Sequence, residues 1–562
     1  MADTMQDTTQ TCSTSCAEDS SIPFAFDLRT LAYSALAILL LPRLATLVFL
    51  PILSRIVGGT LGWYLKRASS GRRAHLLSLM KLDQERFRDE RLRIRKPGDK
   101  DDKLANVDPG SASANAGEGW CGVVGFLHPF CNAGGGGERV LWAAIRATQL
   151  RYPDALCVVY TGDHDVEKEA MIAKVKNRFN IHLHSPTIAF VYLSTRHLVV
   201  ASTWPRFTLL GQSLGSIIMA WDAFHLVVPD IFIDTMGYAF ALGFCRLLFR
   251  RVPTCAYVHY PTISTDMLES LDPSSPLGSR GVNAGQGTGL RGAAKKAYWH
   301  LFAALYTRVG ATIDVVMTNS SWTQAHIQKL WGPHRKTDAT NPIAVVFPPV
   351  AVTELEEKID VSPASEAQRE KILLLIAQFR PEKDHQSIIQ SFAKFVKSGT
   401  LASRGARLVL VGSVRDDGDS KRVYQLRLLA NELNVKDSVE FHLNASWPEI
   451  LEWLRKSSVG VNGMWNEHFG IGVVEYQAAG LISVVHASGG PKMDIVVDVD
   501  GEPTGFHAND VDEFAEAFEK ALSLPDPAAM RQRAQISARR FTEEEFARKW
   551  TAQMERLVGM LR

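Results

Sequence analysis

A chain of 562 residues is longer than one hydrophobic core supports, so at least two domains are expected. A hydrophobic content of 46% with 22% charged residues excludes both a disordered chain and a multi-span transporter. The formal net charge of +2 argues against nucleic acid as a partner, and seven scattered cysteines make no disulfide framework, so the folded part is read as facing a reducing compartment.

Residues 1–27 carry Asp3, Asp7, Glu18, Asp19 and Asp27 but no Lys or Arg, and their Cys12 and Cys16 lack the second pair that a zinc site needs. Residues 28–53, "LRTLAYSALAILLLPRLATLVFLPIL", are long enough for a transmembrane anchor, which takes about 20 apolar residues. Arg43 is a costly interruption, and an interfacial hairpin is the alternative; a signal peptide is disfavoured because no basic region precedes the run. The segment from Lys66 to Lys96 is densely basic. By the positive-inside rule, 1–27 is then a lumenal leader and the body of the chain is cytosolic, leaving the sequons at Asn319 and Asn444 unused. Residues 54–119 read as a basic juxtamembrane segment ending in the linker "KPGDKDDKLANVDPGSASANAGEG".

Strand-like runs at 121–130, 155–162, 187–193, 230–235, 254–261 and 314–320 then alternate with helical patterns, predicting an amino-terminal Rossmann-like domain over 120–350. The apolar stretch 226–253 reads as buried strand plus core helix, with an amphipathic piece dipping into the cytosolic leaflet as the alternative, and 269–292 as a flexible insertion. A second series at 371–379, 406–413, 438–443, 457–463 and 481–488 predicts a carboxyl-terminal Rossmann-like domain over 351–530, with a helical tail over 531–562. The fold class is therefore α/β, two doubly wound domains facing a cleft.

Three stretches carry chemistry. Gly134, Gly135, Gly136 and Gly137 follow the first strand and open a helix, where a backbone can approach a phosphate; a tight turn is the plainer alternative. In "AQFRPEKDH", Arg380, Lys383 and His385 lie on a βα loop at the carboxyl end of a strand, where α/β sheets place ligands, although a solvated charge cluster reads equally well. In "MWNEHFGIGVVEYQAAG", Glu467 precedes a helix expected to start near Phe469 or Gly470, and Glu475 lies about two turns further along. The amides of Phe469, Gly470 and Ile471 suit a diphosphate, while the two carboxylates suit sugar hydroxyls at one end and a ribose diol at the other.

The Glu-x7-Glu element and the Pro-Glu-Lys loop resemble the retaining GT-B glycosyltransferases of family 4. "HPFCNAGGGGERVLWAAI", "YVHYPTISTDML", "NSSWTQAHI", "QFRPEKDHQSIIQSFAKF" and "NGMWNEHFGIGVVEYQAAGLISVVHASGGPKMDIVV" are similar to the GDP-mannose-dependent α-1,2-mannosyltransferases of asparagine-linked glycosylation. That resemblance implies transfer of the fourth and fifth mannoses from GDP-mannose to a dolichyl-diphosphate-linked Man3GlcNAc2 acceptor at the cytosolic face of the endoplasmic reticulum membrane. It implies that Glu467 contacts the transferred sugar, Glu475 the ribose, Lys383 the diphosphate, Gly134 to Gly137 close over it, and His259 lies near the reacting sugar. Aligning on Pro381-Glu382-Lys383 puts Gln378 near the place where the family usually has an arginine, so either Arg380 or Gln378 takes that role. No cofactor or metal is implied, and the acids at 163–165 and 498–500 resemble a metal motif only superficially. Other mannosyltransferases of the pathway are possible partners. The alternatives are a sibling enzyme of α-1,3 or α-1,6 linkage, and a non-catalytic membrane scaffold that kept the fold.

Overall fold

The computed structural model describes residues 49–94, 119–275, 277–278, 286–335 and 341–561. The leader, residues 28–48 of the expected anchor, nearly all of the 96–119 linker and the middle of the 269–292 insertion lie outside the described residues. Among the described residues no helix is long and apolar enough to cross a membrane. A 45-residue helix that sequence reading missed, α1 (Leu50–Ile94), runs from the last residues of the expected anchor into the basic juxtamembrane segment. Pro51, paired glycines at 58 and 59 and closely spaced arginines hide its periodicity.

Seven parallel strands build the first sheet: β1 (Val123–Leu127), β2 (Leu156–Thr161), β3 (Ile188–Tyr192), β4 (Ile231–Asp234), β5 (Thr254–Val258), β6 (Val315–Thr318) and β7 (Ala344–Val345). Their order is β3-β2-β1-β4-β5-β6-β7. Runs such as "VVGFL" and "LCVVYT" are apolar at successive positions because helices cover both sheet faces. One face carries α3 (Thr208–Leu226), α4 (Ala239–Leu248), α5 (Gly289–Gly310) and Leu65 and Met80 of α1. The opposite face carries α2 (Gly136–Arg151). The 226–253 stretch is thus strand β4 followed by α4, whose inner side joins this core.

The second sheet has six parallel strands, β8 (Glu370–Ile376), β9 (Arg407–Gly412), β10 (Val439–Leu443), β11 (Ser457–Asn462), β12 (Ile482–His486) and β13 (Gly505–Ala508), in the order β10-β9-β8-β11-β12-β13. Helix α6 (His385–Lys397) packs on one face and α7 (Ile471–Ala478) on the other. In each sheet the order reverses beside the first strand of its series, β1/β4 and β8/β11. Chain leaving the carboxyl ends there diverges to opposite faces and opens a crevice. The short strands β7 and β13 were not expected; two residues in β7 are too few to carry a periodicity.

The carboxyl-terminal stretch is more than a tail. Arg531, 2% exposed, forks onto Glu366 at 2.7 and 3.0 Å and donates to the carbonyls of Ser458 and Gly480 at 2.8 and 2.9 Å. Helix α8 (Glu543–Gly559) then returns to the first domain and packs beside α2, with Phe546, Trp550, Met554 and Leu557 in the core around Val124 and Phe126. Trp550 stacks near Phe126 and donates to Thr148 Oγ1 at 3.0 Å, and Arg151 pairs with Glu555 at 2.6 Å. Trp550→Ala removes a fully buried indole, while the Thr148 hydroxyl keeps its bond to the Ala144 carbonyl, so chemical denaturation is expected to show a loss of about 3–5 kcal/mol.

Candidate functional site

The glycine run is a loop of two residues and a helix start of two. Gly134 has φ +83° and its carbonyl accepts from Arg178 Nε at 2.6 Å; a Cβ there would collide with that guanidinium at 2.7 Å. Helix α2 begins at Gly136, and the Glu138 carboxylate folds back to accept from the Gly135 amide at 2.5 Å. That amide is therefore already satisfied, and the open donors are those of the first turn. A Cβ on Gly136 would lie 2.7 Å from Ile471 Cδ1, so the glycine loop of one domain touches the α7 start of the other.

On the second domain α7 starts at Ile471, with Gly470 as its N-cap in the left-handed region at φ +103°, a conformation that favours glycine. The expected start is thus shifted by one or two residues: the free first-turn amides begin at Ile471 and Gly472, while the Phe469 ring is buried beneath. Lys383 closes a short turn, Pro381–Lys383, and Asp384 caps α6 by accepting from the Ser387 amide. The Lys383 ammonium forms a direct ion pair with Glu467 Oε2, which also accepts from Asn462 at 3.4 Å. Burial pushes the Glu467 carboxyl up, but the charge and hydrogen bond of Lys383, with His468 and Asn462, hold it below its ordinary value. Glu475 accepts no hydrogen bond from the described residues; burial pushes its carboxyl up to about 7 against the pull of Arg139. Arg380 has only a 3.7 Å contact with Glu382, and Gln378 is exposed, so neither reaches the Lys383–Glu467 pair.

His259 follows β5 in the floor of the crevice with Nε2 buried and without a hydrogen-bond partner among the described residues; burial depresses its imidazole to about 4, and His128 acts in the same direction. His128, fully buried after β1, shares a hydrogen with Thr235 Oγ1 at 2.7 Å, and its Nε2 lies 3.6 Å from Glu138. Contacts then cross between the walls. Asn466 Nδ2 donates to Asp266 Oδ2 at 2.7 Å, the Ser321 amide donates to Asp494 Oδ2 at 2.8 Å, and the His468 ring stacks on Tyr260 at 4.0 Å. Burial holds His468 down at about 4 against the pull of Glu467, so it stacks as a neutral ring.

Gly136, Ile471, Lys383 and Glu467 therefore converge; His259 faces the same floor, Glu475 lies one turn into α7, and Arg380 stands aside. His128, Glu138, Arg139, Asp266 and His468 were not chosen from the sequence. Single polar residues at strand ends have no spacing of their own, and Glu138 was visible only as a first-turn acid. The arrangement can bind an anion between two helix starts and hydroxyl groups on two carboxylates of different character. Because the folded Glu475 carboxyl titrates higher than the ordinary 4.5, its contribution to stability is full below pH 4.5 and is lost as pH rises through about 7. Relative to the parent, Glu475→Gln should gain about 1–3 kcal/mol across that window, read as urea midpoints against pH; a pH-independent difference would contradict it.

Residues 121–331 match the family model described as ALG11 mannosyltransferase N-terminus, and residues 357–541 match glycosyl transferases group 1. The chain is 67% identical to the GDP-Man:Man(3)GlcNAc(2)-PP-Dol alpha-1,2-mannosyltransferase of Neurospora crassa, over 91% of this chain and 94% of that one. It is 44% identical to the Xenopus laevis protein of the same name, over 77% of this chain and 87% of that one. Among solved structures, Anabaena Alr3699/HepE in complex with UDP and glucose superimposes with a TM-score of 0.51 at 15% identity, covering 77% of this chain and 99% of that chain, a likeness of fold. With two parallel-sheet domains meeting at the Glu-x7-Glu helix and two thirds identity to a named relative across nearly its whole length, the chain belongs to the family of the GDP-Man:Man(3)GlcNAc(2)-PP-Dol alpha-1,2-mannosyltransferases, glycosyltransferase enzymes.

Proposed function

We propose that this protein transfers mannose from GDP-mannose in α-1,2 linkage onto dolichyl-diphosphate-linked Man3GlcNAc2, adding the fourth and fifth mannoses with retention of anomeric configuration. The observation that carries this reading is the Lys383–Glu467 pair set at the mouth of α7, whose first residue, Ile471, meets Gly136 of the glycine run. The donor diphosphate lies against the first-turn amides of Ile471 and its neighbours and draws Lys383 to itself, which releases Glu467 to accept hydroxyls of the transferred mannose. Glu475 accepts from the ribose diol, and Gly134 to Gly137 cover the phosphates. His259, neutral with a free Nε2, is placed for a sugar hydroxyl. Arg380 has to swing from Glu382 to reach the phosphates.

Charge growing on the departing GDP is met by helix-start amides and Lys383, so the mechanism calls for no metal. The leaving phosphate takes the acceptor proton on the same face of the sugar, since no second carboxylate is assigned as nucleophile beneath it. Residues 28–53 anchor the chain in the endoplasmic reticulum membrane with both Rossmann domains cytosolic, beside the polyisoprenoid acceptor and other enzymes of the pathway.

Purified protein given GDP-mannose and a lipid-linked trimannosyl-chitobiose should yield two new α-1,2 linkages without added metal. An α-1,3 or α-1,6 product would instead place it with the sibling enzymes, and no product would leave a scaffold. Glu467→Ala is expected to lower kcat by about 100-fold or more, and Lys383→Ala to raise KM for GDP-mannose and lower kcat together.

A further inference from the structure

Helices α2 and α7 meet at their first residues, where a Cβ on Gly136 would lie 2.7 Å from Ile471 Cδ1. Side chains three or four residues further along a helix lie on the same face. Arg139 holds that place on α2 and Glu475 holds it on α7. One turn in from the contact between domains, a cation of the first domain therefore stands opposite a carboxylate of the second.

Arg139 is well buried, with its side chain 12% exposed, and only part of it is used. Its Nη2 donates to Glu543 Oε1 at 2.7 Å, at the start of α8, while its Nε is buried without a hydrogen-bond partner among the described residues. An N–H left so is costly until an acceptor reaches it, and the ion pair with Glu543 does not account for it. Two further carboxylates feel this guanidinium, Glu354 and Glu475. Glu354, on the short helix Val352–Lys358 that packs on α7, has partners of its own in Lys358 at 2.6 Å and Trp447 Nε1 at 3.1 Å. Glu356 of the same helix pairs with Arg539 at 3.0 Å. Helix Pro527–Ala538 also packs on α7, but its Arg531 is committed to Glu366 and its Arg533 to the Pro503 carbonyl. Glu475 is left with Arg139, the charge that draws its carboxyl down against burial.

We infer that Arg139 is a positioning residue for the donor nucleotide: from the first domain it steadies the Glu475 carboxylate that takes the ribose diol. The inference rests on the ribose placement of the proposed function. It adds that the ribose site, carried by the second domain, is completed by the first, so the full grip on the donor exists only while the two helix starts are together.

The test compares steady-state kinetics of the full-length protein with GDP-mannose and with its 2′,3′-dideoxyribose analogue, on the lipid-linked trimannosyl-chitobiose acceptor. The parent is expected to show a KM at least about tenfold higher for the analogue. Arg139→Met should raise KM for GDP-mannose about tenfold with kcat within about twofold, yet leave KM for the analogue within about twofold, because the diol it served is already gone. Glu543→Gln breaks the same ion pair but keeps the guanidinium, so KM for GDP-mannose should stay within about twofold of the parent. Should the methionine variant not fold, Arg139→Lys takes its place in the comparison, with a rise of about threefold confined to GDP-mannose. Equal losses on both donors, or the same rise in KM from Glu543→Gln, would overturn the inference and leave Arg139 as a strut for α8. A parent that transfers mannose without telling the two donors apart would overturn the ribose placement and the inference together, whereas a parent inactive with GDP-mannose would overturn the proposed function itself.

Discussion

Two helix starts, one from each domain, meet in this molecule, and the rest of the site follows from that. Helices α2 and α7 each present unpaired amides and the positive end of a dipole, and they approach until a Cβ on Gly136 would press on the tip of the Ile471 side chain. Two positive ends at that range repel unless an anion lies between them. The protein supplies a partial answer in Glu138, whose carboxylate caps the Gly135 amide and faces His128. On the proposed reading the donor diphosphate supplies the remainder.

The two glutamates of the Glu-x7-Glu element share a helix region but live in different surroundings. Glu467 is kept ionised by a neighbouring ammonium, whereas burial raises Glu475 and no donor among the described residues meets it. A carboxylate that already has a cation can give it up to an incoming phosphate. One without a donor waits for hydroxyl groups. The same residue type thus serves two ends of one ligand because burial and charge differ over eight residues of chain.

Much of this was legible in the sequence. Parallel strands buried on both faces announce themselves as short apolar runs, and βα loops at their carboxyl ends are where α/β sheets offer ligand positions, which is why Gly134, Lys383, Glu467 and Glu475 were candidates from the sequence. Contacts between domains could not. Asp266 meets Asn466 across 200 residues of chain, and the Tyr260–His468 stack joins loops of different sheets, with no periodicity to betray either. Arg380 was chosen because its charge and spacing suited a phosphate, but spacing does not say which way a side chain turns, and this one turns to Glu382. Helix α1 was hidden for a different reason: glycines and a dense basic composition obscure a face that only Leu65, Met80 and a few neighbours bury.

The path of the last helix has a bearing on how the protein is made. Residues 543–559 emerge from the ribosome more than 400 residues after β1 (Val123–Leu127), yet Trp550 and Met554 fill the core built around that strand. At typical elongation rates the nascent chain must guard an open apolar floor on its first half for on the order of tens of seconds while the second half is synthesised. Losing this helix would therefore damage the half of the molecule that lies farthest from it in sequence.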